Sequence, residues 1–124
     1  MPSPEEIAKA FTTHYYNCFD SKNWSMLSGL YTNDSMLTFE GQQFKGTQPI
    51  IEKLQSLNTS AVQHKPSTQD CQPCPGGGLV VFVSGDLSID NGQPIKFAQV
   101  FSLFPVPNNP NQFMVINDLF RLNW

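Results

Sequence analysis

Leu79-Val80-Val81-Phe82-Val83-Ser84-Gly85-Asp86-Leu87-Ser88-Ile89-Asp90-Asn91-Gly92-Gln93 is the stretch whose reading decides the fold. Val, Phe and Leu dominate it, which suits a pleated, half-buried surface. It runs into Asn91-Gly92, and Asn-Gly between apolar runs is a strong hairpin signal. Ile95 to Val106 is then the returning strand. A Pro/Asn-rich loop, Pro105 to Asn111, leads to a last strand from Phe113 to Leu122. Upstream, a strand from about Ala61 to Gln72 is expected to break at Pro73 and Pro75, with Gly76-Gly77-Gly78 as a loop. Gly85 lies inside a strand pattern and marks a possible bulge. The assignment of faces across it stays open.

The first half of the chain reads differently. Ser3 suits a helix cap, Pro4 the first helical position, and Glu6 closes a capping box. Ile7, Phe11, Tyr15 and Phe19 recur every four residues, an apolar helical stripe. A short second helix has Trp24, Leu27, Leu30 and Tyr31 on its buried face, and Thr32-Asn33-Asp34-Ser35 is a turn cluster that ends it. Met36 to Phe39 reads as a strand, with Gln43-Phe44-Lys45 pairing back after Gly41. A third helix starts near Thr47 and buries Ile50, Ile51, Leu54 and Leu57. Helices first and long antiparallel strands last indicate an α+β fold, with helices on one face of a curved sheet.

The 124 residues fit one domain with a real core. Hydrophobic content is 40%, charged content 14%, and there are ten Phe, a composition that argues against disorder. The net charge is −3 and no Lys/Arg cluster exists. Nucleic-acid binding needs a basic footprint, so no nucleic-acid partner is expected. The start Met-Pro-Ser-Pro-Glu-Glu lacks a secretory pattern, and no apolar run approaches a membrane span. A soluble intracellular chain with no membrane partner is the expectation.

Chemistry-bearing motifs are few. There is no phosphate loop, no dinucleotide fingerprint and no nucleophile elbow. Cys71-Gln-Pro-Cys74 is one C-x-x-C pair, and a structural zinc needs four ligands, so no metal and no cofactor are expected. Cys18 makes the cysteine count odd, and free thiols follow. Glu40 and Asp90 stand at strand ends, where a solvated carboxylate is the plain reading. Asp118 sits inside the last strand and reads as a structural hydrogen-bonding group. His14 lies off the apolar stripe, and His64 in a strand reads as structural or exposed rather than catalytic. Arg121 could pair with Asp118 or another acid. The apolar residues Phe97, Phe101, Leu103, Met114, Ile116 and Leu119 exceed what one helical layer covers. A two-fold homodimer held through the sheet, with Leu119 at the contact, follows from that.

Thr38-Phe39-Glu40-Gly41-Gln42-Gln43-Phe44-Lys45-Gly46 resembles the signature hairpin of the nuclear transport factor 2 family. The following Ile50-Ile51-Glu52-Lys53-Leu54 helix also resembles the family, Thr68-Gln69-Asp70-Cys71-Gln72-Pro73 looks like its long strand, and the ending Asn117-Asp118-Leu119-Phe120-Arg121-Leu122-Asn123 matches too. The resemblance covers nearly the whole chain in order. It implies a cone-like fold: three N-terminal helices on a strongly curved antiparallel sheet, a hydrophobic cavity at the open end, and a homodimer. It implies an adaptor, not an enzyme, that carries the GDP form of the GTPase Ran (Ran-GDP) between cytoplasm and nucleus. Phenylalanine-glycine (FG) repeat nucleoporins are the implied second partner. By position, the cavity wall is Phe39, Leu57, Val62, Phe82, Leu87, Ile95 and Phe120, and the acidic rim is Glu40 and Asp90. Relatives carry a further acid after the second one, where Asn91 and Gly92 stand here. They also carry an aromatic near the start of helix one for the nucleoporin groove, where Pro4 stands. The same fold hosts isomerases and dehydratases. Such an enzyme would use Asp118 and His64, with Tyr15 or Tyr16 as donor.

Overall fold

Ser3 starts the first helix as expected, in a structure (a computed structural model) that describes residues 3–57 and 61–123, the side chains of 110 and 111 excepted. Its hydroxyl accepts from the Glu6 N–H at 3.2 Å, and Glu6 Oε1 accepts from the Ser3 N–H at 3.0 Å. The two bonds satisfy two amides that helix geometry leaves without partners. Helix α1 spans Pro4–Asp20 and buries Phe11, Tyr15, Tyr16 and Phe19. Helix α2, Trp24–Ser28, is capped by Asn23. Helix α3, Thr47–Ser56, buries Ile50, Ile51 and Leu54.

Six strands form one sheet in the order β2-β1-β6-β5-β4-β3. They are β1 (Tyr31–Phe39), β2 (Gln42–Lys45), β3 (Val62–Cys74), β4 (Gly78–Ile89), β5 (Ile95–Val106) and β6 (Asn109–Asn123). The helices pack on one face, α1 against β3 and β4, α3 against β1 and β2. The core lies between the layers, and the sheet curls around it without closing, since β2 and β3 remain edges.

Four expectations need correction. The sheet is mixed, because β6 runs parallel to β1, with Leu37 opposite Asp118 and Phe39 opposite Phe120. The hairpin from β5 fixes the direction of β6, and no local signal tells β6 which distant strand it will meet. Tyr31 opens β1 instead of closing α2, and Thr32 to Ser35 form a bulge inside that strand. There the Ser35 hydroxyl accepts the Thr32 N–H at 2.7 Å and donates to the Val115 carbonyl. These side-chain bonds replace the ladder bonds that the bulge loses. Next, β3 runs through Pro66 and Pro73. It is an edge strand, where a missing N–H on the open side costs no ladder bond. Lastly, the loop expected over Pro105 to Asn111 contracts to Pro107-Asn108.

Gly85 does mark a bulge, but the extra residue is across the ladder in β3. Pro66 pairs with Gly85 and Thr68 with Ser84, leaving Ser67 over. A Cβ at Gly85 would run into the Lys65 carbonyl oxygen and approach the Pro66 Cα to 2.7 Å. Only glycine lets the two backbones come this close. Because the bulge sits in β3, alternation along β4 is unbroken: Leu79, Val81, Val83 and Leu87 are buried, and Phe82 points the other way.

Candidate functional site

The curl of the sheet leaves one end of the core open as a cavity of about 420 Å³. Tyr15 and Phe19 of α1 form one wall, and Leu54, Ser56 and Leu57 of α3 and its end form another. The sheet supplies Leu37 and Phe39 from β1, Val62 and His64 from β3, and Leu87 and Ile89 from β4. Gln99 comes from β5, and Phe120 and Leu122 from β6. The lining is mainly apolar, in the size range of a small-ligand or side-chain pocket.

Of the seven residues expected in the wall, Phe39, Leu57, Val62, Leu87 and Phe120 line this cavity. Phe82 does not. It lies on the outer face of the sheet, 41% exposed. Phe82 and Leu87 are five apart, and a regular strand puts such positions on opposite faces. Ile95 is half-buried beside Leu87 and is not part of the lining. The lining also holds nine residues outside the expected wall: Tyr15, Phe19, Leu54, Ser56, His64 and Gln99, together with Leu37, Ile89 and Leu122. Alternation from Leu87 and Phe120 points to Ile89 and Leu122 once the bulge is assigned to β3.

Glu40 and Asp90 each follow a lining residue, Phe39 and Ile89, at the mouth. Both have positive φ, 51° and 53°. Each ties one carboxylate oxygen to backbone: Glu40 Oε1 accepts the Leu122 N–H, and Asp90 Oδ1 accepts the Ala61 N–H at 2.8 Å. Their positions are therefore set by the fold, while charge remains at the rim.

Beneath the cavity floor lies a buried polar network. Tyr31 donates to Asp118 Oδ2 at 2.8 Å, and Gln99 Nε2 donates to Asp118 Oδ1 at 2.8 Å. The Tyr15 hydroxyl is 2.8 Å from that of Tyr31 and 3.3 Å from Asp118 Oδ2. Tyr16 donates to Gln99 Oε1 at 2.8 Å. Burial raises the Asp118 carboxyl from 3.8 to about 6, against the lowering effect of its donors. Burial also drives the phenols of Tyr15, Tyr16 and Tyr31 upward, and the Asp118 charge adds to it. Asp118 is fully buried and does not reach the cavity. His64 does line it, stacked on Tyr16 at 4.6 Å. Both Asp20 oxygens hold it, one 2.7 Å from Nδ1 and one 2.9 Å from its backbone N. Among the described residues no buried side-chain polar atom lacks a partner.

Arg121 is exposed on the outer face and cannot pair with inward-pointing Asp118. Cys71 lies 3.9 Å from Glu5, and burial together with that carboxylate raises its thiol. Among the described residues no group of three His, Cys, Asp or Glu side chains is placed to hold a metal, and no helix is long and apolar enough to cross a membrane. Of the residues expected to hold a dimer, Phe97, Phe101 and Leu103 are buried under the helices. Leu119 is on the outer face, 49% exposed, and Met114 and Ile116 are half-buried there.

Residues 7–122 match the family model described as Nuclear transport factor 2 (NTF2) domain. The chain belongs to the nuclear transport factor 2 family. Nuclear transport factor 2B of Arabidopsis thaliana is 48% identical over 123 residues, covering 98% of this chain and 95% of the relative. Nuclear transport factor 2 of Saccharomyces cerevisiae is 48% identical over 120 residues, covering 95% and 93%. The solved structure of nuclear transport factor 2 from Cryptosporidium parvum superposes with a TM-score of 0.90 at 48% identity, over 98% of this chain and 96% of that one. With relatives of that name 48% identical over nearly the whole chain, nuclear transport is its function. A putative scytalone dehydratase from Novosphingobium aromaticivorans superposes at 0.80 with 11% identity, over 94% of this chain and 81% of that one. At that distance the likeness is one of fold alone.

Proposed function

We propose that this chain is a nucleocytoplasmic transport adaptor that binds Ran-GDP through the open cavity, shuttles between cytoplasm and nucleus, and catalyses nothing. The observation that carries the reading is the pairing of an apolar cavity with two fixed carboxylates at its mouth. The polar groups of the floor are already satisfied internally, so an apolar side chain can enter without stranding them. Burying one aromatic side chain contributes about 1.5–3 kcal/mol. An exposed ion pair contributes about 0–1 kcal/mol. An inserted aromatic thus supplies most of the affinity, and Glu40 and Asp90 orient a basic partner and speed its approach. Against catalysis stands the position of Asp118, walled off by Tyr15, Tyr31 and Gln99.

FG-repeat nucleoporins are the second proposed partner. Pro4, half-buried at the start of α1, offers less flat apolar area than an aromatic would. Each repeat then binds weakly, and many linked repeats compensate through effective concentration.

Titration calorimetry with purified Ran tests the main reading. Binding is expected with GDP loaded and not with a non-hydrolysable GTP analogue. Glu40→Lys abolishes it, since like charges across an interface cost several kcal/mol. Glu40→Gln keeps the oxygen that accepts from Leu122 and only weakens binding. Asp90→Asn weakens it less than Glu40→Lys. Equal affinity for both nucleotide forms, or an unaffected Glu40→Lys, defeats the assignment.

A further inference from the structure

Phe39, Phe120 and Phe97 form a column of near-parallel rings that runs from the cavity wall into the core. Phe39 and Phe120 are 4.8 Å apart at 6°, and Phe120 and Phe97 are 5.7 Å apart at 15°. Phe97 and Phe120 are buried and fixed by packing. Phe39 is half-buried at the end of β1, just before the Glu40-Gly41 turn. It is the one ring of the three with room to swing. Lys53 of α3 closes the column: its Nζ stands 5.5 Å from the Phe39 centroid and 5.8 Å from that of Phe44. Both distances are within the reach of a cation–π contact, about 6 Å. Lys53 is half-buried next to the lining residue Leu54 and is not part of the lining itself; its ammonium reaches the two rings at the edge of the cavity. Among the described residues it makes no ion pair, so no salt bridge competes for the ammonium.

We infer that Lys53 is the positioning residue of the cavity mouth, clamping Phe39 against Phe120 so that the wall meets an inserted aromatic group in one fixed shape. The inference rests on the reading that the cavity takes such a group from Ran-GDP. A ring already held in its bound rotamer loses no freedom on binding. Removing the clamp therefore speeds dissociation. It also removes a positive charge near the mouth, which helps a basic partner approach and speeds association. The two effects oppose each other in the equilibrium constant, and the off-rate separates them.

The test uses Lys53→Met, which keeps an unbranched stem, and Lys53→Arg, which keeps a cation over the rings. Stopped-flow kinetics with GDP-loaded Ran should give an off-rate roughly two- to five-fold faster for Lys53→Met and near the parent's for Lys53→Arg. Raising the salt should erase the on-rate difference and leave the off-rate difference. In the free protein, the Phe39 ring signals in NMR should shift and sharpen in Lys53→Met and return in Lys53→Arg. Parent-like ring signals in Lys53→Met overturn the clamp. Altered ring signals with an unchanged off-rate overturn its role in holding the partner. A parent that binds no Ran-GDP defeats the functional reading, and the ring signals then decide the clamp alone.

Discussion

Asp118 is a carboxylate placed where water cannot reach it, and its ionisation follows from that. The groups that face it are the hydroxyls of Tyr15 from α1 and Tyr31 from β1 and the Gln99 amide from β5, all uncharged, with Tyr16 behind Gln99. They offset part of the desolvation, and the carboxyl still rises from 3.8 to about 6. Folding therefore takes up a proton between about pH 4 and pH 6. The stability this group lends is fully present below the unfolded value and is lost as pH rises through the folded one. At neutral pH the loss is on the order of 3 kcal/mol. Glu6 runs the other way, because its cap bonds lower its carboxyl, but it is fully exposed and its effect is screened. Urea unfolding at pH 4.5 and pH 7.5 measures the balance. Asp118→Asn should flatten the fall in stability across this window, since the amide has no charge to desolvate and the tyrosine hydroxyls can turn to accept from it. A variant with the parent's slope would show that another group carries the pH dependence.

The hairpin joining β4 and β5 shows what an element's local sequence decides and what it leaves to its neighbours. Asn-Gly signalled the turn, and the turn is there, one residue earlier than that signal places it. The Gly92 N–H donates to the Ile89 carbonyl at 2.9 Å, so Asp90 and Asn91 are the central pair, with φ of 53° and 60°. The shift is set from the β3 side: Ile89 still pairs with Val62, and Asp90 is bonded to Ala61 through both its N–H and its carboxylate. Left-handed backbone costs a side-chain-bearing residue about 1–2 kcal/mol. Asn91→Gly should stabilise the fold by roughly 0.5 kcal/mol, and Asn91→Val should destabilise it by about 1–2 kcal/mol. Thermal melts decide this, and a neutral Asn91→Val would mean that the turn is not left-handed there. The same division runs through the chain. The α1 cap and stripe were legible because they are local. The strand proline at Pro73 misled because edge position is a property of the sheet. Phe82 was misplaced in the cavity wall by resemblance, although alternation along β4 excludes it. The parallel pairing of β1 with β6 joins distant segments and leaves no local trace.

All three helices pack on one face of the sheet, and the other face is bare. Cross-strand register builds an apolar centre there. Phe82 lies opposite Val100, and Val100 opposite Leu119. Val80 and Met36 flank that row, and Met36, Phe82 and Leu119 are the most open members, 38%, 41% and 49% exposed. Charge sits toward one end, where Lys96 and Asp86 pair at 3.3 Å beside exposed Arg121. An apolar centre with a polar margin is the anatomy of an interface rather than of a solvated surface. A second copy of the same face is the simplest partner, since a two-fold axis sets each patch against itself and closes the assembly. The chain is therefore expected to be a homodimer, held mostly by area removed from water. Leu119→Glu would bury a carboxylate from each subunit in the apolar centre, a cost of several kcal/mol that the nearby cation, Arg121, offsets only in part. Sedimentation equilibrium should give a dimer for the parent at micromolar concentration and a monomer for Leu119→Glu. Because Leu119 points away from the core, the variant should keep its helical circular dichroism. Its cavity lies on the opposite side of the sheet, so the proposed binding of Ran-GDP should also survive the substitution. A monomeric parent would leave the apolar face to some other partner, and a dimeric Leu119→Glu would move the interface elsewhere on the molecule.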